Sequence, residues 1–264
     1  MELSNKVAII TGASEGIGEA IARLFVEQGV RVALAARSEE KLKALAASLG
    51  AERALAVPTD VAEPAQVERL VARTVERFGG VDILVNNAGV GLYGLIEEMD
   101  WEHFRRMWEV NFFGAVRCTL AALPRLQERR GVVVNISSVA GKLALPYMGG
   151  YCATKFALNA FSTGLRVELA RAGVRVVVVC PGRVRTQFHE SAYRDGKNLP
   201  GVFRQRGQSG GIPPERVARA ALRAVRWGRR EVVVPWALWL AVGFRTLFPA
   251  FTDAMMRRFV RERG

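Results

Sequence analysis

Short runs of apolar residues alternate along the chain with longer stretches in which apolar residues recur every three or four positions. The short runs consist almost wholly of Val, Ile, Leu and Ala, which is typical of parallel strands that are buried on both faces. These runs predict strands at residues 7–10, 31–35, 54–57, 83–85, 132–136, 174–179 and 231–234.

The stretches between the strands predict amphipathic helices at residues 17–28, 41–49, 65–78, 101–127, 152–171 and 214–227. Strands that alternate with helices form βαβ units with right-handed crossovers. We therefore expect a single α/β domain, with a doubly wound parallel sheet of about seven strands and helices on both faces. The domain is expected to span residues 1–235, with a loop over the substrate at about 183–214 and a C-terminal extension at 236–264.

Composition and charge narrow the range of partners. The 264 residues are half hydrophobic, and the formal net charge is +13, with only six lysines among the 38 basic residues. No basic run interleaved with aromatic residues occurs before residue 226, so we expect no nucleic-acid partner.

Cys118, Cys152 and Cys180 show neither metal-ligand spacing nor a disulfide pattern, so no metal site is expected. The first strand begins near Lys6, which leaves no room for a signal peptide and favours a cytoplasmic location.

The turn after the first strand is rich in glycine and opens a helix. Its residues are Gly12, Ala13, Ser14, Glu15, Gly16, Ile17 and Gly18. Glycines allow the backbone to approach a pyrophosphate closely, and the unpaired N–H groups of a helix N-terminus attract the anion. The turn therefore predicts a dinucleotide site, although the same residues also match the Gly-x-Ser-x-Gly elbow of serine hydrolases. That alternative needs a histidine base, and the chain has only His103 and His189.

The end of the second strand bears on the choice of dinucleotide. A chain that binds NAD usually carries an acidic residue there, whereas this sequence has Arg37 and Ser38. An arginine fork suits a 2′-phosphate, so NADP(H) is the preferred cofactor and NAD(H) the alternative. Equally, Arg37 can be a solvated surface charge and Ser38 a helix cap. Asp60, after the third strand, can accept a hydrogen bond from the adenine amino group or act as an ordinary turn residue.

Polar residues follow the next strands at the same edge of the sheet. The fourth strand ends in Asn86-Asn87-Ala88-Gly89, the fifth ends before Ser138, and the next helix carries Tyr151 and Lys155 one turn apart. Together with the glycine turn, Asn111 and Pro181-Gly182, these motifs resemble those of the short-chain dehydrogenase/reductase family over about residues 5–235. Each motif by itself is common, but all of them occur here in order.

The resemblance implies a Rossmann fold and hydride transfer between a nicotinamide and a carbonyl or secondary alcohol. It implies Tyr151 as general acid or base, Lys155 as the cation that lowers the tyrosine pKa, and Ser138 as a donor to the substrate oxygen. Asn111 would hold a water that links Lys155 to solvent. The resemblance also assigns cofactor contacts to Tyr151, Lys155, Val61, Asn87, Ala88, Gly89, Pro181, Gly182, Val184 and Thr186. Members of the family usually form homodimers or homotetramers on two long helices.

Two questions stay open in the sequence. A protein of this fold can bind NADP(H) as a sensor without turnover, although a sensor has no need of a proton donor. The C-terminal extension begins with an uncharged apolar run at residues 232–244, flanked by arginines and too short to span a bilayer. It can cover the substrate pocket, form a subunit interface or lie on a membrane surface. The aromatic residues of the 183–214 loop, Phe188, Tyr193 and Phe203, favour a lipophilic substrate, but they can equally pack the loop itself.

Overall fold

The computed structural model describes residues 1–196, 199–200, 203 and 210–261. Residues 197–198, 201–202 and 204–209 of the predicted substrate loop, and residues 262–264 of the extension, therefore lie outside the described part of the chain.

The strands coincide closely with the apolar runs of the sequence. They are β1 (Val7–Thr11), β2 (Arg31–Ala36), β3 (Ala54–Pro58), β4 (Ile83–Asn86), β5 (Leu92–Tyr93), β6 (Val132–Ile136), β7 (Arg175–Pro181), β8 (Tyr193–Arg194) and β9 (Glu231–Val234). Seven of them form a parallel sheet in the order β3-β2-β1-β4-β6-β7-β9. The predicted sheet of about seven parallel strands is confirmed.

Helices cover both faces of this sheet. They are α1 (Gly16–Glu27), α2 (Glu39–Leu49), α3 (Pro64–Phe78), α4 (Trp101–Trp108), α5 (Gly114–Glu128), α6 (Gly149–Glu168), α7 (Pro214–Trp227), α8 (Leu238–Leu247) and α9 (Pro249–Arg261). Alternate residues of a strand face opposite layers. In β1, Ala8 and Ile10 pack with α1 and α7, whereas Ile9 packs with α3 and α5. The strands are buried on both sides, and this explains their uninterrupted apolar composition.

The strand order places the site. From β1 the chain continues to β2 and β3 on one side of the sheet, and it then returns to β4 on the other side of β1. The direction in which strands are added therefore reverses between β1 and β4. Open α/β sheets bind ligands in the crevice beyond the carboxyl ends of the strands at such a reversal. The glycine turn follows β1 and the Asn-rich turn follows β4, so both border this crevice.

Two features differ from the sequence prediction. The helix expected at 101–127 is interrupted by a π-turn at Glu109–Phe113, which separates α4 from α5. The two-residue strands β5 and β8 pair in parallel above the sheet edge, with Leu92 beside Tyr193. Both features depend on contacts between distant segments, and neither is long enough to leave a periodic signal.

The cysteines are free and buried, in agreement with the sequence analysis. Within the described ranges, no helix combines the length and the apolar character needed to cross a bilayer. In the same part of the chain, no group of three or more His, Cys, Asp or Glu residues is arranged to hold a metal ion.

Candidate active site

The turn after β1 has a backbone that only glycine fits. Gly12 and Gly16 adopt φ values of +63° and +60°, in the left-handed region. A Cβ on Gly12 would lie 2.9 Å from the Cα of Ala88, and a Cβ on Gly18 would overlap the carbonyl of Gly12. Glu15 precedes α1 without capping it through its side chain. Within the described residues, the N-terminus of α1, which borders the crevice, therefore has no side-chain cap.

The hydroxyl of Thr11 joins the turns after β1 and β4. It accepts hydrogen bonds from the backbone N–H groups of Asn87 at 2.9 Å and Ala88 at 3.0 Å. In return, the Asn87 side-chain amide donates to the carbonyls of Thr11 and Gly12, both at 3.0 Å. Asn87 thus holds the glycine turn in place through its side chain. Thr11 was not predicted as a site residue, and its position at a strand end, beside the motif, is the only signal that it carries in the sequence.

The end of β2 presents the two residues expected to choose the dinucleotide. Arg37 is exposed and forms no hydrogen bond or ion pair with the described residues. Ser38 is the N-cap residue of α2, but its side chain makes no capping hydrogen bond. The Glu15 carboxylate pairs with Lys41 at 2.7 Å and is thereby drawn toward α2. Both side chains expected at the 2′-phosphate are therefore available to a ligand.

Asp60 and Val61 have partners of their own. One oxygen of Asp60 accepts from the Ala62 N–H at 3.0 Å, and the other pairs with Arg106 of α4. Burial opposes the charge of this carboxylate, but the Ala62 N–H, Arg106 and Arg37 together lower its pKa. An adenine amino group would therefore share Asp60 with Arg106. Val61 is buried against Gly114, where a Cβ would lie 2.6 Å from its methyl group.

Asn111 lies in the π-turn and is 1% exposed. Its Oδ1 accepts from the Val90 N–H at 2.7 Å, and its Nδ2 donates to the Val90 carbonyl at 2.9 Å and to Thr154 Oγ1 at 3.2 Å. A Cβ on Gly89 would lie 3.3 Å from Asn111 Oδ1 and 3.8 Å from Lys155 Nζ. Asn111 therefore holds the segment after β4 directly above the lysine. Thr154 is a second residue that the sequence analysis missed.

Ser138, Tyr151 and Lys155 meet at the carboxyl end of β6. Tyr151 is in the first turn of α6, beside the Ser138 hydroxyl, which donates to the Pro181 carbonyl at 3.4 Å. Lys155 Nζ lies 5.8 Å from the centre of the Tyr151 ring and donates to the Ile136 carbonyl at 3.1 Å. The hydroxyl of Ser138 also accepts from the Ala140 N–H at 3.1 Å. The structure thus brings together the phenol, the ammonium and the hydroxyl that the sequence analysis selected.

Burial dominates the ionisation of this group in the protein alone. It raises the pKa of Tyr151 above its ordinary value of 10, against the opposing hydrogen bond from Ser138. It also lowers the pKa of Lys155 to about 8. A positive charge that enters this site would favour the phenolate and return the tyrosine pKa toward neutrality.

The loop after β7 closes the other side of the crevice. Pro181 ends β7, Gly182 donates its N–H to the Val234 carbonyl at 2.8 Å, and Val184 is buried and pairs with Ile212. Thr186 Oγ1 accepts from the Phe188 N–H at 3.4 Å. A Cβ on Gly16 would lie 2.9 Å from the Thr186 methyl group, so this loop touches the glycine turn.

The wall beside Tyr151 is apolar. The ring of Phe188 lies 5.6 Å from that of Tyr151. Tyr151 belongs to a cluster whose other buried members are Leu92, Met107, Ala140 and Cys152, with Leu145, Met148 and Tyr193 packed around them. Leu145 and Met148 belong to no sequence motif. Only the structure, which packs them against the cluster that contains Tyr151, identifies them as residues of this wall.

The two histidines serve other contacts. His103 Nδ1 lies 2.7 Å from Asp195 Oδ1, and His189 Nδ1 is hydrogen-bonded to the Tyr93 hydroxyl. Among the described residues, neither histidine forms a hydrogen bond with Ser14. The geometry therefore lacks the base that a serine hydrolase needs at the glycine turn.

Comparisons with known proteins agree with this geometry. The family model for short chain dehydrogenases matches residues 6–197. The dehydrogenase/reductase SDR family member 7B of Bos taurus is 36% identical over 270 residues, covering 98% of this chain and 83% of the relative. A short-chain dehydrogenase/reductase from Burkholderia phymatum, solved in complex with NAD, superposes with a TM-score of 0.85 at 29% identity over 96% of each chain.

An alcohol dehydrogenase from the archaeon Thermococcus sibiricus, complexed with 5-hydroxy-NADP, superposes with a TM-score of 0.75 at 35% identity. It covers 86% of this chain, and the match covers 95% of the archaeal chain. The chain belongs to the short-chain dehydrogenase/reductase family, and it is an oxidoreductase that acts on CH–OH or C=O groups with a nicotinamide cofactor.

Proposed function

We propose that the protein interconverts a lipophilic carbonyl compound and its secondary alcohol, with NADP(H) as the preferred cofactor. The observation that carries the proposal is the convergence of Ser138, Tyr151 and Lys155 beneath Gly89, at the edge of the sheet where the glycine turn lies.

The residues present fit a nicotinamide dinucleotide. The uncapped N-terminus of α1 and the glycine turn would hold the pyrophosphate, since the unpaired N–H groups of a helix N-terminus attract an anion. Lys155 and Thr186 would hold the nicotinamide end, and Val61, Asn87, Ala88 and Gly89 would line the path between the two ends. When bound, the cofactor supplies or accepts the hydride.

Tyr151 exchanges a proton with the substrate oxygen: it donates the proton in reduction and accepts it in oxidation. Ser138 donates a hydrogen bond to the same oxygen and stabilises the negative charge that develops there. Lys155 keeps positive charge beside the phenol. Asn111 fixes Val90 and thereby the segment that covers Lys155, and a water held there would link the lysine to solvent.

Arg37 and Ser38 support the preference for NADP(H). Arg37 is exposed and forms no hydrogen bond with the described residues, although it lies near enough to Asp60 to lower the pKa of that carboxyl, and the Ser38 hydroxyl does not cap α2. A 2′-phosphate placed between them would gain charge-assisted hydrogen bonds.

The preference is tested with Arg37→Ala. We expect the Kd for NADPH to rise roughly 10- to 100-fold, because a hydrogen bond to a charged group contributes about 1.5–3 kcal/mol. The Kd for NADH should change much less. Arg53→Ala, an exposed arginine before β3 on the opposite edge, is the matched control. Equal losses for the two dinucleotides, measured by fluorescence titration, would contradict the preference.

The lipophilic substrate is supported by the apolar wall of Phe188, Leu145 and Met148 around Tyr151. A panel of medium- and long-chain ketones, steroid ketones and their alcohols, followed through the reduced cofactor at about 340 nm, tests the reaction. Turnover of lipophilic members above that of short polar ones supports the proposal. Tight NADPH binding with no turnover of any member would instead favour a sensor.

We further propose a homodimer or homotetramer built on α5 and α6. Large apolar side chains remain exposed on these helices, namely Leu120 at 59% and Val167 at 74%, with Phe156 at 44%. Their burial against a second copy would remove this apolar surface from water.

A further inference from the structure

The chain ends in two consecutive helices that contact each other where they join, and we call residues 236–258 the C-terminal hairpin. Arg245 of α8 donates to the Pro249 carbonyl at 2.9 Å and to Thr252 Oγ1 at 2.6 Å, and it pairs with Asp253. The ring of Phe244 packs on that of Phe248 at 5.1 Å. The hairpin is therefore held together by its own contacts.

The outer surface of this hairpin is apolar, which inverts the usual pattern of a surface helix. Helix α8 contains no buried residue, and only Leu238, Val242 and Arg245 are partly covered by the rest of the protein. The large exposed side chains include Trp236 at 70%, Leu240 at 67% and Leu247 at 74%, with Trp239, Phe248 and Phe251 beside them. A contiguous apolar surface of this kind marks a site of association.

The hairpin borders the catalytic crevice. It follows β9 directly, and Leu238 packs so closely on Gly182 that a Cβ there would lie 2.5 Å from it. The Trp239 ring covers the Lys142 ammonium at 5.2 Å, and Lys142 follows Ser138 by four residues. Whatever covers the hairpin therefore lies beside the entrance to the active site.

We propose that the C-terminal hairpin docks on the surface of an anionic lipid bilayer. Tryptophan side chains suit the interface between headgroups and hydrocarbon, and arginines beside an apolar face attract anionic lipids. Trp236 and Trp239 lie at the start of the hairpin, and Arg257 and Arg258 are exposed on α9. The net charge of +13 adds a long-range attraction to a negative membrane surface.

The same charges disfavour a second copy as the occupant. Hairpin-to-hairpin contact would press two chains of net charge +13 against each other, with Arg257 and Arg258 on each contacting segment, and like charges at an interface repel. Since no helix of the described chain can span a bilayer, the hairpin lies along the surface. In combination with the proposed function, on which this last step rests, the crevice receives lipophilic substrate directly from the bilayer.

The experiment is flotation of the full chain with phosphatidylcholine vesicles, with and without about 30% phosphatidylglycerol. We expect binding to the anionic vesicles and a loss of binding as salt screens the arginines. The double variant W236S/L240S should lower the bound-to-free ratio by roughly 100-fold or more, because two large apolar side chains would then no longer leave water on docking. W101S/W227S, which alters side chains exposed by 68% and 61% elsewhere, is the matched control and should bind as the unmodified protein does.

Absence of binding to anionic vesicles, or equal binding by W236S/L240S and the unmodified protein, overturns the proposal. So does a molar mass in solution that falls in W236S/L240S alone, because the hairpin would then be an interface between copies. Tyr151→Phe should bind vesicles like the unmodified protein. Its vesicle binding is independent of turnover, so failure of the proposed function and failure of the docking proposal are distinguishable.

Discussion

The catalytic centre and the C-terminal hairpin depart from ordinary burial in opposite directions. At the centre, Lys155 and Asn111 are polar side chains that are 4% and 1% exposed. In the hairpin, Trp236 and Leu247 are large apolar side chains that are more than two-thirds exposed. Both arrangements cost free energy in the isolated protein, and both become favourable once a partner of matching chemistry is present.

The two regions differ in how far contacts within the protein offset this free-energy cost. The buried polar groups are hydrogen-bonded by the fold: Asn111 to Val90 and Thr154, Lys155 to Ile136. The exposed apolar groups have no comparable cover within the described chain. The centre is consequently preorganised for chemistry, whereas the hairpin is complete only when it associates.

The largest effect is expected at Tyr151. Tyr151→Phe removes the proton donor and leaves the ring, so kcat should fall about 1,000-fold or more. The Kd for NADPH should stay within a few-fold, because the glycine turn and Lys155 are unchanged. Steady-state kinetics and fluorescence titration check the two halves. Substantial turnover by this variant would show that Tyr151 is not the proton donor. The description of the buried polar centre as the catalytic one would then fail.

The next effect concerns the cost of burying Lys155. The pKa of Lys155 falls from 10.5 to about 8 on folding, so below pH 8 the fold must hold a charge that burial disfavours. Between pH 8 and 10.5 the unfolded chain binds more protons, and stability therefore rises with pH. Lys155→Met should stabilise the protein at pH 7 by up to about 3 kcal/mol while abolishing activity, and the gain should shrink toward pH 10.

Urea unfolding of the unmodified protein and of Lys155→Met, at pH 7 and at pH 10, measures the difference in their free energies of unfolding. A gain that is the same at both pH values would show that packing, and not charge, is responsible. A loss of stability at pH 7 would mean that the hydrogen bond to Ile136 outweighs the cost of burial.

The smallest effect is expected in the hairpin and sharpens the contrast directly. Leu247→Ala should change the free energy of unfolding by less than about 0.5 kcal/mol, because Leu247 is 74% exposed. The matched control Leu158→Ala, one turn beyond Lys155 at 1% exposure, should cost about 2–5 kcal/mol. Similar losses at the two leucines would show that the hairpin is already covered, and the comparison would fail.

Much of the fold and of the candidate site was predictable because it depends on residues that are close together in the sequence. The strands are continuous apolar runs, and the spacing of Tyr151 and Lys155 on α6 is a property of a single helix. The order of the motifs sufficed to identify the family. Thr11 and Thr154 escaped prediction because each acts through a hydrogen bond to a segment at least 43 residues away.

The sequence by itself determined the class of fold, the family, the reaction class and the side chains that meet at the carboxyl end of β6. Only the tertiary structure decided that Asp60 faces Arg106, that a π-turn aims Asn111 at Val90, and that the apolar side of α8 stays uncovered. The physical reason is the separation along the chain of the residues that interact. Periodicity and turn chemistry act over a few residues, whereas partners and exposure depend on segments that meet only after the sheet has assembled.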